Sequence, residues 1–316
     1  MLSSTNVIKS EKLTPARVVR YLKARLPQRV SGRRVYESAV SGKAALEIGG
    51  PSETFGDRGA LPIYKSLASV DNCLYSARTI WTGQLDGSQK FVYHRRKWPG
   101  NQFIADAVDL DPIASGKYDC VLASHCLEHV ANPLLALSEW KRVLKAEGLL
   151  VLVLPHKDGT FDWRRPTTSL AHLIDDYRRH TTEDDLTHVP EILALHDLTR
   201  DVPAGTPEEF RHRCLNNSDT RAMHHHVFDT QSAISTVDYS GFHIMRVDHL
   251  KPCHIFIMAK PRQSGFENAA FLGVDADWRR TSPFPSDQFT TERKYFLQHL
   301  GKSRLVLSCV ERWYMP

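Results

Sequence analysis

The stretch YDCVLASHCLEHVANP, Tyr118 to Pro133, places His125, Glu128 and His129 in H-x-x-E-H spacing. That string belongs to one class of zinc metalloproteases, where both imidazoles lie one turn apart on a continuous helix and face one ion. The flanking sequence argues against such a helix. YDCVLAS is an apolar run suited to a strand and leads directly into His125, and Asn132-Pro133 then reads as a helix N-cap followed by its first residue. His125 is therefore expected at a strand-to-helix corner and His129 in the short turn after it. No metal ligand is assigned there, and Glu128 and His129 are expected to hold the corner through local hydrogen bonds.

His156 ends a second apolar run, LLVLVLP, next to the first. An imidazole titrates near neutral pH without tuning, so His156 and His125 are the two candidates for a general base. Downstream, PHKDGTFDWRRPTT brings Asp158, Asp162, Arg164 and Arg165 to the same rim. Paired arginines can grip a phosphate or carboxylate, so Asp162, Arg164 and Arg165 are expected to contact substrate. The triple His224, His225, His226 is a weaker signal. Adjacent residues point in different directions, so three in a row rarely share an ion, and one of them is at most an acceptor contact.

The elements that must position these groups alternate: AALEIG, LASVDN, FIADAV, CVLAS, LLVLVLP, HIMRVDHL and HIFIMAK are short apolar runs separated by helical patterns. One helix is sharply delimited, with Asn132 as cap, Pro133 first, Leu137, Trp140 and Leu144 on its buried face and Gly148 ending it. Continuous apolar strands between helices predict a doubly wound α/β sheet covered on both faces. The predicted organisation is an N-terminal helical cap over 1–40, opening at Thr14-Pro15, and a main domain over 41–260. Within it, residues 156–223 read as a lid or substrate-binding insertion, because the span is too long for a simple loop. Residues 261–316 read as a linker and a C-terminal extension with a helix from Thr291 to Leu300 and the run RLVLSCV.

Open α/β sheets bind ligands outside the carboxyl ends of their strands. The first strand there ends in Glu47-Ile48-Gly49-Gly50, the second in Asp71, the third in Asp106-Ala107, the fourth in Ser124-His125 and the fifth in Pro155-His156. In this order LEIGGPS, SVDN, IADAVDL and YDCVLASHCLEHVANP…EWKRVLKAEGLLVLVLP resemble the cofactor motifs of class I S-adenosylmethionine-dependent methyltransferases, in particular the methyltransferase-11-like group. The resemblance runs from about Ala44 to Leu154, with weaker support through Lys260. It implies a Rossmann-like, seven-stranded sheet and S-adenosyl-L-methionine as cofactor. It also implies that Glu47 and Gly49 meet the methionine end, Asp71 the ribose, and Asp106 with Ala107 the adenine, with Gly50 and Ser124 on the same side. Pro51 and Ser52 stand where further glycines are common, which leaves the backbone contacts open.

The bulk properties narrow the acceptor. The chain has 316 residues, 41% hydrophobic, and a net charge of +5 spread among acids rather than gathered into a stripe with aromatics, so nucleic acid is not expected as a partner. No apolar run approaches the roughly 20 residues that span a bilayer, and the charged N-terminus offers no signal-peptide core, so the expected location is cytoplasmic. The cysteines at 73, 120, 126, 214, 253 and 309 form no C-x-x-C pair and are expected to be thiols. A hydroxyl of a small molecule, or of a sugar in a glycan or glycolipid, is the expected acceptor, and a homodimer the expected assembly. The alternatives are N-methylation of a small amine and a non-catalytic S-adenosylmethionine-binding partner subunit. A dinucleotide-binding enzyme would want G-x-G-x-x-G after the first strand, which Gly49-Gly50-Pro51 does not supply.

Overall fold

The computed structural model describes residues 28–85 and 90–288. The helix expected from Thr14, the one from Thr291 and the run RLVLSCV lie outside the described residues. Eight strands form one sheet: β1 (Ala44–Ile48), β2 (Ser69–Leu74), β3 (Lys90–Phe91), β4 (Gly100–Ile104), β5 (Tyr118–Ser124), β6 (Leu144–Pro155), β7 (Phe242–Leu250) and β8 (His254–Pro261), in the order β3-β4-β2-β1-β5-β6-β8-β7. The central five run parallel, β8 is antiparallel to both its neighbours, and β3 pairs antiparallel with β4. Seven of these are the expected strands, and the eighth, β3, adds a two-residue edge.

Side-chain alternation divides the parallel strands between two cores. Leu46, Ile48, Val121, Ala123, Leu150 and Leu152 face α2 (Pro133–Val143) and α6 (Thr230–Tyr239), whose Leu137, Trp140, Ile234 and Val237 fill the gap. Ala45, Cys120, Leu122, Val151 and Val153 face the other way. There α1 (Arg33–Val40) supplies Tyr36 and Val40, and a loop supplies Phe55, Leu61, Ile63 and Leu67. One face is therefore covered largely by irregular chain. Each of these fully buried large side chains contributes about 1.5–3 kcal/mol relative to exposure.

Helix α2 begins as expected: the Asn132 side chain accepts from Leu135 N at 3.1 Å and Pro133 takes the first turn. It ends at Val143, short of Gly148, because buried Leu144 pairs with Tyr118 and draws the following residues into β6.

The inserted segment after β6 carries α3 (Leu170–Arg179), α4 (Val189–Leu195) and α5 (Pro207–Leu215), capped by Ser169 and by a Thr206/Glu209 capping box. Its apolar residues Val189, Ile192, Phe210, Cys214 and Met223 make a small core of their own. The stretch after β8, expected as a linker, is anchored: Asn268 Oδ1 accepts from Ile244 N and its Nδ2 donates to Phe242 O, both at 2.8 Å. Beyond it, Phe284 stacks on His156 with ring centroids 4.0 Å apart. Among the described residues no helix is long and apolar enough to cross a membrane.

Candidate active site

The carboxyl ends of β1, β2, β4 and β5 open into a crevice with a cavity of about 510 Å³, lined there by Gly49, Leu74, Asp106, Ala107, Ser124 and His125. Gly49 adopts φ +81°, a conformation open to glycine, and turns the chain outward where a side chain would meet Cys126 Sγ at 3.4 Å. Of the expected cofactor residues, Gly49, Asp106, Ala107 and Ser124 therefore line the cavity.

Glu47 and Gly50 lie behind it. Strand alternation turns Glu47 away from the face of Leu46 and Ile48, so its buried carboxyl accepts from Tyr64 OH at 2.7 Å and from Ser52 N at 3.0 Å. Burial pushes its pKa up to about 8 against the lowering effect of those two donors. Gly50 bonds Asn72 through both its N–H and its carbonyl, each at 3.0 Å, and a Cβ there would collide with the Glu47 carboxyl. Glu47 thus shapes the loop from underneath and is not on the crevice wall.

Asp71 also departs from expectation. Strand β2 runs on to Leu74, leaving Asp71 inside it, where Tyr118 OH donates at 2.6 Å and Asn101 donates from N at 2.8 Å and Nδ2 at 3.1 Å. The apolar Cys73-Leu74 that follows it was the available signal that the strand continues. Leu74 and Tyr75 stand at the true strand end.

His156 is fully buried and absent from the crevice. Its Nδ1 accepts from Asp158 N at 3.2 Å, its Nε2 lies 3.2 Å from Asp287 Oδ1, and Phe284 covers its ring. The segment after β8, whose path the sequence does not announce, seals it off. Arg165, fully buried, bonds Asp162 at 3.0 Å and Glu191 at 2.8 Å and cannot reach the rim. Arg164 is half exposed over the Trp163 ring, 3.5 Å from Asp197. Asp162 is buried too, but it touches the crevice at one remove, through His224.

His224 is the residue that sequence reasoning underrated. Its ring lines the cavity, and its Nδ1 lies 2.6 Å from Asp162 Oδ2. Burial works against its charge, yet the neighbouring Asp162 carboxylate overcomes that and holds His224 above the ordinary imidazole value. The same contact, with Arg165, keeps Asp162 well below the usual carboxyl range against the opposing effect of burial.

Opposite stands Glu128, fully buried in the wall, with neither carboxylate oxygen hydrogen-bonded among the described residues. Burial raises its pKa, but His125, at 3.6 Å, and the imidazoles of His129 and His224 outweigh it and leave Glu128 below the ordinary value. His129 is half-buried, pushed down to about 3 by desolvation and by His224, and its Nδ1 meets Met223 O at 3.1 Å. The corner is held locally, with His129 N donating to Cys126 O at 3.1 Å, and the His129 side chain ties it to the inserted segment as well.

His125 sits at the corner in the left-handed region, φ +51°, and its Nε2 meets His254 Nδ1 at 2.8 Å. The two imidazoles of H-x-x-E-H part company. His129 groups with Glu128 and His224, His125 with Cys253 and His254, each set having its donor atoms within 4.8 Å and a composition able to hold a cation. Trp81, Phe161 and two arginines of the inserted segment also line the crevice. Arg200 donates to Thr160 O at 3.2 Å, and Arg221 bridges Asp106 at 2.8 Å and Glu183 at 3.1 Å.

A family described as "Methyltransferase domain" matches residues 76–152. An uncharacterised 37.1 kDa protein of a Streptomyces fradiae transposon is 31% identical over 154 residues, 46% of this chain but only 38% of that protein's length. Among solved structures, a methyltransferase-like protein of Bacillus halodurans aligns over 74% of this chain and 99% of its own, with 11% identity and TM-score 0.42. A Burkholderia thailandensis 1,6-didemethyltoxoflavin-N1-methyltransferase with bound S-adenosylhomocysteine aligns over 78% and 83%, with 9% identity and TM-score 0.39. The match to a methyltransferase domain falls on β4 to β6, and the crevice opens at the carboxyl ends of the parallel strands to which they belong.

Proposed function

We propose that this protein O-methylates a hydroxyl of a small molecule, or of a sugar in a glycan or glycolipid, with His224 as general base and Asp162 as its positioning residue. The 2.6 Å contact between Asp162 Oδ2 and His224 Nδ1 carries the reading. With Nδ1 donating to the carboxylate, the Nε2 lone pair is left free to accept a proton at the cavity. His125 remains a substrate contact at the corner.

The crevice suits the cofactor of its family. About 510 Å³ falls in the range of roughly 300–1,000 Å³ usual for ligand sites, and the turn at Gly49 lets backbone approach a bound molecule. Gly49 and Ser124 would hold the methionine end, and Asp106 with Ala107 the adenine. When bound, S-adenosylmethionine supplies an electrophilic methyl group on a sulfonium. The protein's part is to align the acceptor and exclude water, which Trp81 and Phe161 do from above. His224 Nε2 takes the hydroxyl proton, and Asp162 steadies the imidazolium that forms. The free thiols among the described residues suit a cytoplasmic reaction.

One observation favours N-methylation as a second reading: the Glu128 carboxylate, buried without a hydrogen bond in the cavity wall, suits an amine acceptor. A methyl-labelled S-adenosylmethionine assay against polyols, sugar nucleotides and phenols, with amines in parallel, separates the two. His224→Ala is expected to lower kcat about 10²–10⁴-fold with S-adenosylhomocysteine affinity retained. Asp162→Asn should lower kcat less and leave KM in place. Transfer confined to amines would favour the second reading, full turnover in His224→Ala would remove the base, and a wild-type protein that fails to bind S-adenosylhomocysteine would remove both.

A further inference from the structure

Apart from the crevice, His172 of α3, His188 ahead of α4 and His226 ahead of α6 bring donor atoms within 4.8 Å of one another in the inserted segment, and Asp176 of α3 lies beside His172 and His226. His172 Nε2 lies 3.1 Å from His188 Nε2 and 3.2 Å from Asp176 Oδ2, and His226 Nε2 lies 3.8 Å from that same oxygen. A tetrahedral zinc ion with arms of roughly 2.0–2.1 Å separates its ligand atoms by roughly 3.3 Å, which these spacings straddle.

The directions matter as much as the distances. Asp176 Oδ2 is buried and has no hydrogen-bond partner among the described residues even though His172 Nε2 is 3.2 Å away. His172 Nε2 meets His188 Nε2 instead, a contact that ligation would replace, and leaves the Asp176 oxygen beside the imidazoles. Asp176 also has the outer support a ligand needs: its Oδ1 accepts from Thr181 Oγ1 at 3.1 Å, and its backbone carbonyl accepts from Asn132 Nδ2 at 3.2 Å. His226 Nε2 faces Ala131 O at 3.2 Å, a contact that ligation would replace. Asp176 and His226 are buried while the His172 side chain is 40% exposed, so an ion has a way in.

We infer that His172, Asp176, His188 and His226 form a structural site for a divalent transition metal, with zinc the best fit to three imidazoles and one carboxylate. Four protein ligands close the coordination sphere, which suits a staple and not a catalytic centre. It joins helix α3 and the entry to α4 to the segment that carries His224. The adjoining backbone is already set against the crevice wall, with His226 N donating to Glu128 O at 3.2 Å. The triple histidine thereby divides its work: His224 faces Asp162, His225 bonds Asn217 at 2.9 Å, and His226 turns to the metal.

Elemental analysis of the full chain purified from zinc-supplemented medium tests the assignment. About one zinc per chain is expected, falling at least tenfold in Asp176→Asn and in His188→Ala. It should be retained in Glu128→Gln and His254→Ala, which lie in the two crevice clusters. Where a buried-site variant does not fold, the half-exposed His172→Ala serves in its place. Cobalt substitution of the wild type should give the strong visible absorption of a tetrahedral site. A wild type that takes up neither zinc nor cobalt overturns the inference, and so does a folded Asp176→Asn that keeps its metal while Glu128→Gln loses it.

Discussion

Glu47 shows how a buried acid can serve a site it does not touch. Its carboxyl holds Ser52 N and Tyr64 OH, fills the space above Gly50 and so fixes the loop whose Gly49 faces the cavity. In the cofactor-free fold it stays protonated up to about 8, whereas in the unfolded chain it ionises near its ordinary 4.5. Its contribution to stability is thus fully present below the unfolded value and is lost as pH rises through the folded one. Glu47→Gln should therefore flatten the fall in stability between those two values, as read by denaturant unfolding at a series of pH values. An unchanged profile would show that the carboxyl is ionised in the fold.

At the scale of elements, the segment following β8 acts as a plug. Phe284, almost wholly buried, lies flat on His156 and edge-on to His249 with centroids 5.8 Å apart, while Asp287 Oδ2 accepts from Thr230 Oγ1 at 2.6 Å. Removing so large a buried ring leaves a cavity, so Phe284→Ala should cost about 3–5 kcal/mol in chemical denaturation. A loss under about 1 kcal/mol would mean that the segment detaches without unfolding the domain. Strand β2 makes a related point. The acid at Asp71 invited an early strand end, but the ladder with β1 continues to Cys73 and leaves Asp71 bonded inside the sheet.

For the whole molecule, a few charged contacts tie the inserted segment to the sheet body beside the crevice. Arg221 spans Asp106 on the body and Glu183 on the insertion, and Glu183 also accepts from Ala131 N at 2.8 Å. Arg221→Ala leaves two carboxylates facing each other without their cation. Amide hydrogen exchange should then rise through α4 and α5 while β5 and β6 keep their protection. Equal exchange in variant and wild type would show that the small core around Ile192 and Phe210 holds the segment by itself.

The order of strands, the Asn132-Pro133 helix start and the crevice residues Gly49, Asp106, Ala107 and Ser124 were legible because each is written locally. Apolar runs, caps and glycine turns depend on neighbours within a few positions. What the sequence could not convey is which distant segments meet. His156 looked like a base at a strand end until residues more than a hundred positions later covered it. His224 looked like one member of a histidine run until Asp162 met it at 2.6 Å. The H-x-x-E-H string was rightly denied a continuous helix, yet Glu128 and His129 still find a third donor in His224, brought in by the fold. Local chemistry determined the scaffold of this protein. Long-range packing decided which of its many ionisable side chains face the crevice, because burial and partner contacts are properties of the folded chain.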